Sequence, residues 1–193
     1  FGETVKYLAS IAGMKPYIFS KQDEEREKDW NNYKEIYKNY VEYYHNELLN
    51  NNSSSEAKSY IKNRGLKLED VQNFKIGFVT KEIDFYEFLL KKFDKTDINN
   101  SGIFYFDEKK QKHINRFRER IIFPIKNISG DVIAIGGRSI KENNFLAKYI
   151  NSPETQFFKK GSNLYNLDKS RKLSNQMDFI YLVEGYMDVI GLY

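Results

Sequence analysis

The sequence predicts an α/β fold with α+β character: a helix-rich N-terminal part, an antiparallel hairpin region, and then a strand that opens a further α/β unit. Three observations carry this. Apolar residues recur at steps of three and four through much of the first hundred positions, the spacing of one helix face. Between Ile121 and Ile135 two apolar runs flank Asn127-Ile128-Ser129-Gly130, which is turn chemistry. Phe179-Ile180-Tyr181-Leu182-Val183 is a continuous apolar run ending at Glu184-Gly185, the form of a buried parallel strand.

Taken in order, Val5, Leu8, Ala9 and Ala12 share a face within a short helix over 3–13, with Gly13 as its terminator and Pro16 just beyond. Residues 22–50 predict one long helix. Trp30, Tyr33, Tyr37, Tyr40, Val41, Tyr44 and Leu48 form a single stripe on it, and such a stripe is packing surface before it is a platform for bases. Asn50 to Ser55 is a polar break in which Ser53 or Ser54 can cap the next helix, 55–64, with Gly65 as its stop. Leu66 to Phe74 reads as a short helix or turn, Ile76 to Val79 as a strand, and Ile83 to Phe93 as a helix. Residues 94–101 read as a polar loop, and Ile103 to Phe106 as a strand before a Lys-rich turn. In the hairpin, Pro124 has no N–H for a ladder and belongs at an edge or bulge. Gly136-Gly137 lets backbone approach closely. Residues 141–176 read as irregular or as short helical pieces, and Tyr186 starts a helix.

Of the 193 residues 40% are hydrophobic, enough for a core, yet no apolar run nears the ~20 residues of a membrane helix. There is no cysteine, which excludes disulfides, thiolate nucleophiles and Cys-ligated zinc and favours a cytosolic setting. His45 and His113 lie far apart, neither with a partner at metal-ligand spacing. No secretory segment follows Phe1, and the chain reads as a piece of something longer.

Charge is segregated. Residues 1–108 hold 16 Lys/Arg against 19 Asp/Glu, residues 109–172 hold 15 against 5, and residues 173–193 hold only Asp178, Glu184 and Asp188. A basic block beside a small acidic cluster suits a polyanion next to a cation, although a solvated basic surface has the same composition.

Three constellations could carry chemistry. Glu184 caps the apolar run at its carboxyl end, where open α/β sheets bind ligands, and Asp188 lies one helical turn on. Two carboxylates suit a hard cation that also takes phosphate oxygens; a helix first turn decorated with acids is the structural alternative. In Arg116-Phe117-Arg118-Glu119-Arg120, a strand would align the three guanidiniums on one face, where phosphates or the acids Asp107, Glu108 and Glu119 could offset them. Lys148-Tyr149-Ile150-Asn151-Ser152-Pro153-Glu154-Thr155, followed by Phe157-Phe158-Lys159-Lys160-Gly161, interleaves bases with rings as single-strand binders do, although Phe157 and Phe158 fit a core as well. Arg138, directly after the two glycines, points the same way. His113 in a basic loop is given no role.

The strings Arg116 to Ile125, Gly136-Gly137-Arg138, Lys148 to Thr155, Lys160-Gly161-Ser162-Asn163-Leu164-Tyr165 and Val183-Glu184-Gly185-Tyr186-Met187-Asp188 occur in one order. That set resembles the catalytic core of the bacterial replicative DNA primases (DnaG-type). Tyr60 to Gly65, Phe74 to Phe78 and Phe1 to Met14 extend the likeness over essentially the whole chain. The resemblance implies an N-terminal subdomain over 1–172 and the beginning of a Toprim α/β domain over 173–193. It implies DNA-directed synthesis of short RNA primers on single-stranded DNA from ribonucleoside triphosphates, in the bacterial cytoplasm and with no membrane partner. Glu184 matches the Toprim glutamate, for metal holding or proton transfer, and Asp188 the acid of the same motif, with Mg2+ or Mn2+ as the cation. Arg116, Arg118, Arg138 and Lys148 match basic-groove residues, with Tyr149 and Asn151 in the same loop. The zinc ribbon, the Asp-x-Asp motif and the helicase-binding region of that family are not found in these residues, so the resemblance implies that they do not polymerise on their own. Another Toprim protein, a topoisomerase or nuclease, or a non-enzymatic single-strand-binding module are the competing readings.

Overall fold

The computed structural model describes residues 2–15, 20–81, 84–141, 147–174 and 179–193. Phe1, Pro16, Ile83 and Asp178, named above, lie outside the described residues.

Helix α1 spans Gly2–Ile11. Helix α2, Lys21–Asn50, starts where the Ser20 hydroxyl accepts from the Asp23 N–H while the Asp23 carboxylate accepts from the Ser20 N–H, a reciprocal cap. Its stripe is the spine of the core: Tyr33, Ile36, Tyr37, Tyr40, Val41, Tyr44 and Leu48 are buried. The stripe's hydroxyls are closed by protein. Tyr33 donates to the Ile133 carbonyl (2.7 Å), Tyr37 to the Ser101 carbonyl (2.8 Å) and Tyr40 to Asn115 Oδ1 (2.9 Å), while Tyr44 accepts from Asn115 Nδ2 (3.3 Å). Burial pushes all four phenols up, so they stay protonated.

Short helices α3 (Ser55–Asn63) and α4 (Leu68–Asn73) follow. Ser54 does not cap α3 through its side chain. Its hydroxyl donates back to the Glu47 carbonyl at 2.9 Å, closing the end of α2 instead. Strand β1 (Gly77–Val79) leads to α5 (Phe85–Leu90) and α6 (Lys95–Asn100). The expected polar loop at 94–101 is therefore a helical turn; its single apolar residue, Ile98, is fully buried, and one buried side chain gives no periodic signal to read.

Strands β2 (Phe104–Asp107) and β3 (Lys112–Asn115) form a separate two-stranded hairpin. His113, read above as a loop residue, lies in β3 with its ring stacked on Tyr86 at 4.0 Å. The main sheet is antiparallel, order β1-β4-β5-β6, with β4 (Arg120–Lys126), β5 (Val132–Ser139) and β6 (Tyr149–Asn151). Pro124 sits beyond the reach of β1, which pairs β4 only at 120–122, and next to a bulge at Ile125/Lys126, as a residue without an N–H must. At Gly77 the backbone of Tyr44 would lie 2.8 Å from a Cβ, so glycine lets α2 lie directly on β1. Helices α7 (Leu167–Ser174) and α8 (Tyr186–Leu192) complete the chain.

Two further expectations fail. Arg116 to Glu119 is a turn, with Glu119 at φ 56°, and only Arg120 is in a strand. Phe117 is the reason: its ring is fully buried, lying where a Cβ on Gly137 would be at 2.6 Å, which holds the chain in a loop over the sheet. Residues 179–183 carry no strand. Among the described residues no strand lies beside them to complete a ladder, and Phe179 to Leu182 are 57–82% exposed.

Candidate nucleic-acid interface

Sheet register builds the site. Arg138 lies opposite both Ile121 on β4 and Tyr149 on β6, and Gly136 lies opposite both Phe123 and Asn151. Cross-strand partners share a face, so Arg138 and Tyr149 form one row and Asn151 ends the next. Tyr186, the first residue of α8, lies over that second row. Its ring stacks on Phe123 at 5.3 Å and 9°, occupies the space a Cβ on Gly136 would take (2.5 Å), and its hydroxyl donates to Asn151 Oδ1 at 2.6 Å. Burial pushes the Tyr186 phenol up to about 12, opposed by the Asn151 hydrogen bond. This contact joins the acid-bearing start of α8 to the basic strands. Glu184 and Asp188 flank Tyr186, and together with Arg138, Tyr149 and Asn151 they line one groove of about 1050 Å3.

Arg138 is 4% exposed and has no carboxylate partner among the described residues. Its Nε donates to the Tyr60 hydroxyl and its Nη1 to the Tyr149 hydroxyl, and it lies over both rings, at 5.3 and 4.8 Å. A buried guanidinium without a counter-charge is costly, so its open edge invites an anion. Glu184 is exposed and makes no ion pair among the described residues. Asp188 Oδ2 accepts from the Gly185 N–H at 3.1 Å, so that carboxylate caps α8 with one oxygen and has the other to spare. The described residues hold no group of three or more His, Asp or Glu positioned for a metal, so any cation here has at most these two carboxylates.

The other predicted residues stand apart from the groove lining. Arg116 is exposed and lies over the Tyr105 ring at 5.4 Å, on the small hairpin. Arg118 is exposed and unpaired among the described residues. Lys148 projects to solvent while its carbonyl accepts from the Ser139 N–H (2.9 Å) and Arg120 Nη1 (3.3 Å). Arg120 is buried, and burial pulls its pKa down. Of the acids weighed against the arginines, Glu119 instead takes Lys141 (2.5 Å) and Lys81 (3.4 Å). Arg116, Arg118 and Arg120 therefore do not share a face. The groove adds residues to which the sequence assigns no site role, Arg64, Tyr165 and Tyr186 in its lining and Tyr60 as a support, and it includes Lys160 of the basic and aromatic stretch. Tyr60 and Arg64 are one helical turn apart, a spacing that was readable.

The family model for the DNA primase catalytic core, N-terminal domain, matches residues 43–171. The chain belongs to this family. A DNA primase of Enterococcus faecalis is 38% identical over 157 residues, covering 78% of this chain and 25% of the relative. One of Thermotoga maritima is 34% identical over 194 residues, covering 99% and 32%. Among solved structures, a DnaG primase catalytic domain bound to single-stranded DNA superposes with a TM-score of 0.74 at 30% identity, covering 86% of this chain and 51% of that one. The zinc-binding and RNA polymerase domains of Aquifex aeolicus primase give 0.75 at 28%, covering 98% and 44%. The chain thus spans about a quarter to a third of these curated primases and about half of the solved primase chains. The mixed α and antiparallel β architecture is that of the family's catalytic cores. No described helix is long and apolar enough to cross a membrane.

Proposed function

We propose that this chain is the template- and nucleotide-handling part of a bacterial replicative DNA primase, which makes short RNA primers on single-stranded DNA by metal-dependent nucleotidyl transfer. The observation that carries the reading is one groove lined both by a buried Arg138, without a carboxylate partner among the described residues, and by the carboxylates of Glu184 and Asp188. Arg138, Tyr149 and Asn151 take phosphates and sugars of template or incoming nucleotide, and Arg116, Arg118 and Lys148 extend the positive field along the strand's path. Nucleotidyl transfer is largely positioning and charge stabilisation, which such a groove can supply.

Glu184 and Asp188 would hold Mg2+ or Mn2+. A hydrated divalent ion needs only one or two carboxylates when phosphate oxygens complete its shell, and an exposed glutamate beside an aspartate with one uncommitted oxygen fits that demand. When bound, such an ion stabilises the charge on the attacking and leaving oxygens. In this reading residues 1–172 are the N-terminal subdomain and 173–193 open the Toprim unit. The uncovered apolar run Phe179–Leu182 supports that division, because it needs strands beside it. The replicative helicase would be met through residues outside these, and the location would be the cytoplasm.

The test is titration of a fluorescein-labelled oligo-dT with the chain at 50 mM salt, then at 200 mM. Salt-sensitive binding that Arg138→Met weakens is the expected result, together with loss of primer synthesis when the same change is made in the whole primase. Salt-independent binding, or none at low salt, overturns the reading.

A further inference from the structure

The Tyr60 ring meets two guanidiniums. Arg138 lies 5.3 Å from its ring centroid and Arg64 lies 5.9 Å from it, and neither arginine meets a carboxylate among the described residues. Both line the groove. Two cations on one ring repel each other unless an anion sits between or beside them. The described residues supply none here.

The hydrogen bonding says where the anion goes. A phenol oxygen can accept and donate at once. The Tyr60 hydroxyl accepts from Arg138 Nε, and the Tyr149 hydroxyl accepts from Arg138 Nη1. Neither phenol proton is given to a protein acceptor among the described residues, and Arg138 keeps its other Nη1 proton and both on Nη2. Three of the α2 tyrosines, Tyr33, Tyr37 and Tyr40, have the opposite arrangement, with their protons donated into the fold, while Tyr44 accepts from Asn115. The donors left over around Arg138 therefore belong to one cluster, with no acceptor of its own.

We propose that Tyr60 is a direct contact in a single-phosphate clamp made of Tyr60, Arg138 and Tyr149, with Arg64 adding charge at its rim. The clamp takes one non-bridging phosphate pair of a polynucleotide backbone or of a nucleotide. Its guanidinium edge is fixed by the two phenols before the ligand arrives, so little order is lost on binding. The inference rests on the groove reading above and adds Tyr60 to it as a donor.

Anisotropy titrations with labelled oligo-dT separate the two claims. Tyr60→Phe keeps the ring and removes the hydroxyl, so affinity at 50 mM salt should fall about tenfold with the slope of log K against log salt unchanged, since no charge is lost. Arg138→Met should weaken binding and reduce that slope by about one. Thermal melts of both variants confirm that they fold. A Tyr60→Phe variant that binds like the parent while Arg138→Met weakens overturns the clamp and leaves the groove standing. Wild-type chain that does not bind overturns both. Inorganic phosphate and ribonucleoside triphosphate as competitors distinguish the sources of the phosphate: displacement of oligo-dT by the triphosphate alone assigns the clamp to the nucleotide, and displacement by neither assigns it to the strand.

Discussion

Helix α2 and the groove use the same residue in opposite ways. Along α2, Tyr33, Tyr37 and Tyr40 hand their protons to Ile133, Ser101 and Asn115 inside the fold, and Tyr44 accepts from Asn115. Around the groove, Tyr60 and Tyr149 accept from Arg138 and commit their protons to no acceptor among the described residues. Both regions are aromatic and both contain buried polar groups. They differ in where the hydrogen-bond ledger closes: in protein for the spine, and under the proposed clamp in a ligand for the groove. A polar cluster left open beside a closed core marks the place where chemistry from outside can be received.

The largest effect tests the spine. Tyr40 is fully buried, packs on Tyr44, Phe85 and Phe117 at 4.7–6.4 Å, and bonds Asn115. Tyr40→Ala should remove about 3–5 kcal/mol of unfolding free energy in a urea titration. A loss under about 1 kcal/mol would mean that the stripe is not the core. Tyr40→Phe, which deletes only the hydroxyl, should cost about 1 kcal/mol and leave DNA affinity alone, the reverse of Tyr60→Phe. Equal behaviour of the two phenylalanine variants would erase the contrast.

Next in size is Gly136→Ala. The added Cβ would come within 2.5 Å of the Tyr186 ring, so α8 must shift. Overpacking of this kind costs about 1–3 kcal/mol, and here the cost should appear as faster amide exchange in 184–192 rather than across β4 and β5. Protection unchanged in α8 would show that Tyr186 does not bind it to the sheet. Tyr186→Phe is milder. It loses one hydrogen bond to Asn151, about 1 kcal/mol, and keeps the stacking on Phe123.

How much of this could be read in the sequence follows from the range of each interaction. The long helix and the β4–β5 hairpin were legible because periodicity and turn residues act over a few neighbours, and Lys21–Asn50 and Arg120–Ser139 match them closely. Glu184, Asp188, Arg138, Tyr149 and Asn151, named from the sequence, line one groove. Arg116, Arg118 and Arg120 were aligned on a strand that does not exist, because the anchor that bends them is Phe117 against Gly137, a contact across twenty positions that local spacing cannot show. The 179–183 run has strand composition but no neighbour to pair with, and pairing is a property of the sheet rather than of the segment. Tyr60 carries no mark of its own until Arg138 is placed beside it.

The smallest effect concerns His45, on the same helix as the spine. Its ring is 5% exposed, and Nδ1 lies 2.7 Å from the Ile76 carbonyl, so Nδ1 donates and the neutral tautomer fits. Burial lowers its pKa below the ordinary 6.5; the nearby Lys75 charge adds to this and the Ile76 hydrogen bond opposes it. Below 6.5 the unfolded chain therefore takes up a proton that the folded one resists, and stability falls as pH drops from above 6.5 toward the depressed value. Glu119 acts in a different window. Its pKa is held below 4.5 chiefly by the Lys141 hydrogen bond, so its contribution is present above 4.5 and fades only as pH falls through its lowered value. Urea midpoints at pH 7.5 and 5.5 thus sample His45 with Glu119 ionised throughout. The wild-type chain should lose more stability over that interval than His45→Gln does. An identical loss in both would show that His45 titrates freely, and that the sealed interior of the spine stops short of β1.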